Sequence, residues 1–170
     1  HPYIGTPPRS ADGFAGLARR DFVTVAARWT AFARRVRSAT AMSRVVRGGL
    51  IQCANPVNDE SVPVADIQKA ALEAHMPLIE EAGRKGVNIL CLQEIFNGPY
   101  FCPSQAIRWY DAAESVPGPM TELMQEIARK HSMAIVVPVY ERESAGVYYN
   151  TAAVIDADGR YLGKYRKNHI

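Results

Sequence analysis

From residue 45 onward, short apolar runs alternate with stretches whose apolar positions recur every three to four residues. The run VVRGGLIQC (45–53) predicts a buried strand after a short polar lead. Over residues 61–86, Ile67, Ala70, Ala71, Ala74, Leu78, Ile79 and Ala82 fall on one stripe and predict a helix. Pro77 lies inside that stripe and predicts a kink or a restart, because an interior proline removes a hydrogen bond and clashes with the preceding turn. Gly86 is placed to stop the helix. A nearly continuous apolar strand, VNILCLQE (87–94), comes next, then an aromatic loop, IFNGPYFCPS.

Pro119 is positioned to start a second helix (119–131), with Met120, Leu123, Met124 and Ile127 facing inward. SMAIVVPVY (132–140) predicts another buried strand. YYNTAAVID (148–156), the turn ADG and RYLGKYRK (160–167) predict a hairpin. The order β-α-β-α-β-β-β, with apolar strands and amphipathic helices, predicts an α/β layered sheet. No internal repeat or low-complexity tract interrupts it.

Composition narrows the class without changing this outline. The 170 residues fit one domain, and 48% hydrophobic with 22% charged residues argues against both disorder and a membrane protein. No apolar run approaches the ~18 residues that a spanning helix needs. The net charge of +3 hides two halves. Residues 1–41 carry seven arginines against two aspartates, a net of +5, whereas residues 42–170 carry 13 Lys and Arg against 15 Asp and Glu, a net of −2.

The first 41 residues are therefore a separate, basic segment. Phe22, Val25, Trp29, Phe32 and Val36 share one face of a prospective helix. An Arg-rich, acid-poor amphipathic segment suits an organelle transit peptide, and a basic helix also suits an anionic membrane or phosphate. Two other origins stay open: a disordered or non-native extension with Met42 as the true start, or a structured extension.

Cys53, Cys91 and Cys102 are widely spaced and form no CxxC pair, which predicts free thiols in a reducing compartment, packed as small hydrophobes. His1, His75, His131 and His169 show no metal-ligand spacing, and no glycine-rich phosphate loop is present. Neither a metal nor another cofactor is expected.

Two residues could do chemistry. Glu94 ends the apolar run NILCLQ, at the carboxyl end of a strand where α/β folds place their sites. Burial there would raise its pKa and suit a general base; a strand-end ion pair with a surface arginine explains the position equally well. Lys167 ends the last predicted strand, between Arg166 and Asn168. Its ammonium could steady a developing oxyanion, although position alone favours a solvated strand-end cation. Cys102 is the available nucleophile, but no helix N-terminus or histidine adjoins it to lower its pKa.

The segments GLIQC, GVNILCLQEIFNGPYFC and YYNTAAVIDADGRYLGKYRKNHI resemble, in order and spacing, the nitrilase superfamily of carbon–nitrogen hydrolases over residues 45–170. LQEIFNGPYFC and RKNHI are most similar to the β-ureidopropionase branch, with the N-carbamoylputrescine amidases a close second. The resemblance implies the N-terminal part of a four-layer αββα sandwich, homo-oligomeric when full length, working with a Glu-Lys-Cys triad. It makes Glu94 the general base and Lys167 the cation that steadies the tetrahedral intermediate. The family's nucleophilic cysteine comes some tens of residues after that lysine, beyond Ile170, and Cys102 does not occupy its position.

The same resemblance implies a small N-carbamoyl or amide substrate. The free thiols suit a cytoplasmic protein, no nucleic-acid or membrane partner is expected, and the missing nucleophile predicts that these 170 residues alone are inactive. Half of a two-sheet sandwich would also expose its inner face and associate. Two other classes compete: a non-catalytic α/β subunit that pairs through its exposed sheet, and a basic-armed domain that binds polyanions through residues 1–41.

Overall fold

The computed structural model describes residues 45–104 and 106–169. The basic segment 1–41, with its prospective helix, lies outside the described residues.

Strand β1 is Gly48–Leu50, helix α1 Val64–Arg84, and strand β2 Ile89–Cys91. A short 3-10 helix, Ile107–Ala112, precedes helix α2 at Pro119–His131. Strands β3 (Ala134–Ser144), β4 (Val147–Ile155) and β5 (Tyr161–Arg166) complete the sequence. They form one five-stranded sheet in the order β1-β2-β3-β4-β5. The first three strands are parallel and the last three antiparallel, as two helical crossovers followed by two tight turns require.

Alternation along the strands decides which side is covered. Leu90, Ile135, Val137, Val139, Ala153 and Ile155 are fully buried, in one cluster with Ile79 of α1 and Met124 and Ile127 of α2. Both helices thus cover one face, and α over β makes two layers. Residues of opposite parity, from Leu50 and Ile89 to Val136, Val154 and Tyr165, are half-buried or exposed.

Local expectations hold with physical exceptions. Helix α2 begins and ends where the pattern placed it, with Pro119 in its first turn and Ser132 left-handed at φ 50° after its end. Helix α1 runs unbroken through Pro77 instead of restarting, since Ala71 and His75 before it and Ile79 after it lie on the same buried stripe. That stripe is Val64, Ile67, Ala71, His75 and Ile79; Leu78 is exposed. His75 stands on that stripe with its Nδ1 2.7 Å from Ala71 O, one turn back, and its ring edge-on to Phe96. Gly86, at φ 68°, stops the helix as expected.

Strands β1 and β2 are shorter than their apolar runs, with three residues of each in register, and β1 is not the buried strand expected, since Gly48 and Leu50 are exposed. The β4–β5 hairpin forms as predicted, and Gly159 (φ 84°) is required in its turn: a Cβ there would stand 2.6 Å from Gln125 O. All three cysteines are free, but none is fully buried and Cys102 is exposed, so they are not core hydrophobes.

Candidate active site

Three strand ends converge at one edge of the sheet. Glu94 lies three residues beyond β2, in a turn held to β3 by Leu92 N–H donating to Val136 O (3.2 Å) and Phe96 N–H to Pro138 O (3.3 Å). The next residue, Ile95, is buried with φ 47°, a conformation β-branched residues avoid. Such outliers persist where packing over-determines them, and they cluster at functional sites. Here burial of Ile95, Phe96 and Asn97 fixes the turn that presents the Glu94 carboxylate.

Lys167 directly succeeds β5, and its N–H donates to Asn150 O at 2.8 Å, extending the β4–β5 ladder by one residue. Antiparallel pairing brings the start of β4 beside the end of β5, so Asn150 and Lys167 are neighbours. Lys167 Nζ donates to Glu94 Oε1 at 2.7 Å, and Asn150 Nδ2 donates to the same oxygen at 2.6 Å. The structure therefore brings together the two residues singled out in the sequence, 73 positions apart.

The electrostatics differ from the expectation of burial. Glu94 and Lys167 are about two fifths exposed, with side-chain exposures of 44% and 41%. The Lys167 ammonium holds the Glu94 carboxyl below its ordinary range, Asn150 adds to this, and partial burial opposes it. Reciprocally, the Glu94 carboxylate raises the Lys167 pKa. Glu94 is thus ionised at neutral pH, the form that accepts a proton.

Beside the pair opens a cleft of about 380 Å³, lined among others by Cys102, Tyr110, Tyr140, Tyr148, Asn150 and Lys167. Tyr110 and Tyr148 lie 4.7 Å apart between ring centroids, and Tyr140 and Tyr148 5.5 Å, an aromatic wall. Phe101, stacked on Trp109 at 5.5 Å, anchors the aromatic loop. Cys102 is at the cleft but holds neither residue of the pair. Its side chain, with Glu94 nearby, holds the Tyr100 phenol above its ordinary range. Among the described residues, no group of three or more His, Cys, Asp or Glu side chains could hold a metal ion.

Sequence reasoning missed Asn150, Ile95 and the tyrosine wall. Asn150 was readable only as a polar residue ahead of the apolar run TAAVI; its partner depends on the register of β4 against β5.

The fold and site define the class as an α/β layered protein that presents a carboxylate–ammonium pair at one edge of its sheet, beside a small cleft. The particular family emerges from comparison with known proteins. The profile described as Carbon-nitrogen hydrolase matches residues 49–170, and the chain belongs to that family. A beta-ureidopropionase of Arabidopsis thaliana is 38% identical over 165 residues, 96% of this chain and 39% of that protein. An N-carbamoylputrescine amidase of Oryza sativa subsp. japonica is 39% identical over 106 residues, 62% of this chain and 35% of that protein. A solved carbon-nitrogen hydrolase from Helicobacter pylori G27 superposes with a TM-score of 0.63 at 28% identity, over 74% of this chain and 40% of that one.

An amidase from Nesterenkonia sp. AN1, at 21% identity and a TM-score of 0.52, shares the fold. The α/β, nitrilase-like fold expected from the sequence is the one found. The chain spans about two fifths of the length of the curated relatives it matches. No helix among the described residues is long and apolar enough to cross a membrane.

Proposed function

We propose that this chain is the part of an amidohydrolase that carries the general base and the cation, acting on N-carbamoyl-β-alanine or a related N-carbamoyl or amide compound. Glu94 is the base and Lys167 the cation. The observation that carries this is the contact of Lys167 Nζ and Asn150 Nδ2 with one oxygen of Glu94, beside a cleft of small-molecule size. The similarity to a beta-ureidopropionase and to an N-carbamoylputrescine amidase supports the substrate class.

The chemistry proceeds in two halves. A cysteine thiol gives its proton to Glu94 and attacks the substrate carbonyl carbon, forming a C–S bond. Lys167 faces the oxyanion that develops and stabilises it. The C–N bond breaks as Glu94 returns the proton to nitrogen, which leaves as ammonia. Water, losing a proton to Glu94, then cleaves the acyl thioester and restores the thiol.

Ammonia release by the full-length protein from N-carbamoyl-β-alanine and from N-carbamoylputrescine tests the proposal. Turnover of either compound that disappears in Glu94→Gln is the expected result; absence of turnover with every N-carbamoyl and amide compound tried would refute it. The second reading, a non-catalytic subunit pairing through its sheet, is favoured by the apolar open face with Leu50 at 87% exposure. It predicts association without turnover.

A further inference from the structure

Behind the strand positions that hold Glu94 lies a second carboxylate with no part in that reaction. Glu141 of β3 is 1% exposed and bound by three side chains. Lys164 Nζ reaches Oε1 at 2.5 Å, Arg166 Nη2 reaches Oε1 at 2.7 Å and Arg166 Nε reaches Oε2 at 3.1 Å. Thr151 Oγ1 donates to Oε2 at 2.6 Å. Arg166 also contacts Glu143 at 2.8 Å and lies 3.8 Å from the Tyr149 ring centroid. The buried carboxylate is thus compensated by two cations and a hydroxyl, a network in which each bond restrains the others.

The placement matters more than the number of bonds. Thr151 and Arg166 are paired across β4 and β5, and their side chains point to the face of Glu141. Successive residues of a strand project to opposite faces, so Asn150 and Lys167 project from the other face, where both donate to Glu94. We propose that Glu141 is a positioning residue: from behind the sheet it grips Thr151 and Arg166, the chain neighbours of the two residues that grip Glu94 in front. The guanidinium fork bonds both carboxylate oxygens, fixing the end of β5 in rotation as well as distance. The Lys167 ammonium is thereby held on Glu94 before substrate arrives, a preorganisation that reacting groups need to within a fraction of an ångström. The inference rests on the proposed roles of Glu94 and Lys167.

The test is Glu141→Gln in the full-length protein, read in two ways. Titration of the Glu94 carboxyl by 13C NMR, with Lys167, Tyr100 and Cys102 as its charged or titratable neighbours, reports whether Lys167 has kept its place. Steady-state kinetics reports the consequence. We expect the Glu94 midpoint to move up toward the ordinary carboxylate range, and kcat to fall on the order of 10- to 100-fold with KM little changed. A folded variant with wild-type kcat overturns the inference, and so does a fall in kcat with the Glu94 midpoint unmoved. Should Glu141→Gln fail to fold, Arg166→Lys, which keeps the charge and loses the fork, is judged by the same two criteria. The titration needs no substrate: a wild type inactive on every compound, with a midpoint that still shifts in the variant, removes the proposed reaction and leaves the positioning intact.

Discussion

At the scale of single residues, the Glu94–Lys167 contact sets a pH window. The folded-state pKa of Glu94 is lowered from an ordinary 4.5, so the pair is fully charged above that value and is lost as pH falls through the depressed pKa. Lys167 is raised from 10.5, so the pair persists below that value and is lost as pH rises through the raised pKa. Replacing Lys167 with Met removes the largest lowering influence on Glu94. Its carboxyl should then titrate at a higher pH, toward 4.5, in an NMR titration. An unchanged midpoint would mean that the two groups do not meet in solution. Because both side chains are about two fifths exposed, Lys167→Met should scarcely move the melting temperature while removing activity. A stability loss matching the activity loss would instead mark the pair as structural.

At the scale of elements, the helices are held by packing and the sheet partly by charge. Ile79 of α1 is fully buried against the sheet, so Ile79→Ala should destabilise by ~2–5 kcal/mol in chemical denaturation. A loss under ~1 kcal/mol would place α1 loosely on the sheet. Glu141, lowered to about 2 from an ordinary 4.5 by Arg166, Lys164 and Thr151 against opposing burial, stabilises the fold above 4.5. That contribution is lost as pH falls from about 4.5 to about 2; Glu141→Gln should flatten the acid side of the stability profile in that window. An unchanged profile would show that another carboxylate governs acid unfolding.

The sequence announces such elements unevenly. The 13 residues of α2 were legible to their ends, because Pro119 starts the helix and its apolar period is regular. Glu94 and Lys167 were legible as strand-end charges. Their contact was not, nor were Asn150 and Glu141, because register and strand order are long-range facts that no local pattern carries. Pro77 does not restart the helix because tertiary packing on both sides of it outweighs one missing hydrogen bond.

At the scale of the whole molecule, the sheet face that no described helix covers governs behaviour. Leu50, Ile89 and Tyr165 are 87%, 43% and 62% exposed, beside half-buried Val136 and Val154 on the same face. Apolar faces of this kind seek a cover. The 170-residue chain on its own should therefore self-associate in sedimentation velocity, less so with Leu50→Lys and Tyr165→Lys; a sharp monomer for the unaltered chain would contradict this. The most direct test of the central claim, that Glu94 and Lys167 perform carbon–nitrogen hydrolysis, is ammonia release by the full-length protein from N-carbamoyl-β-alanine, with Glu94→Gln and Lys167→Met alongside. Turnover by the wild type that falls on the order of 100-fold or more in both variants is the predicted result. Wild-type turnover that survives in either folded variant would contradict it.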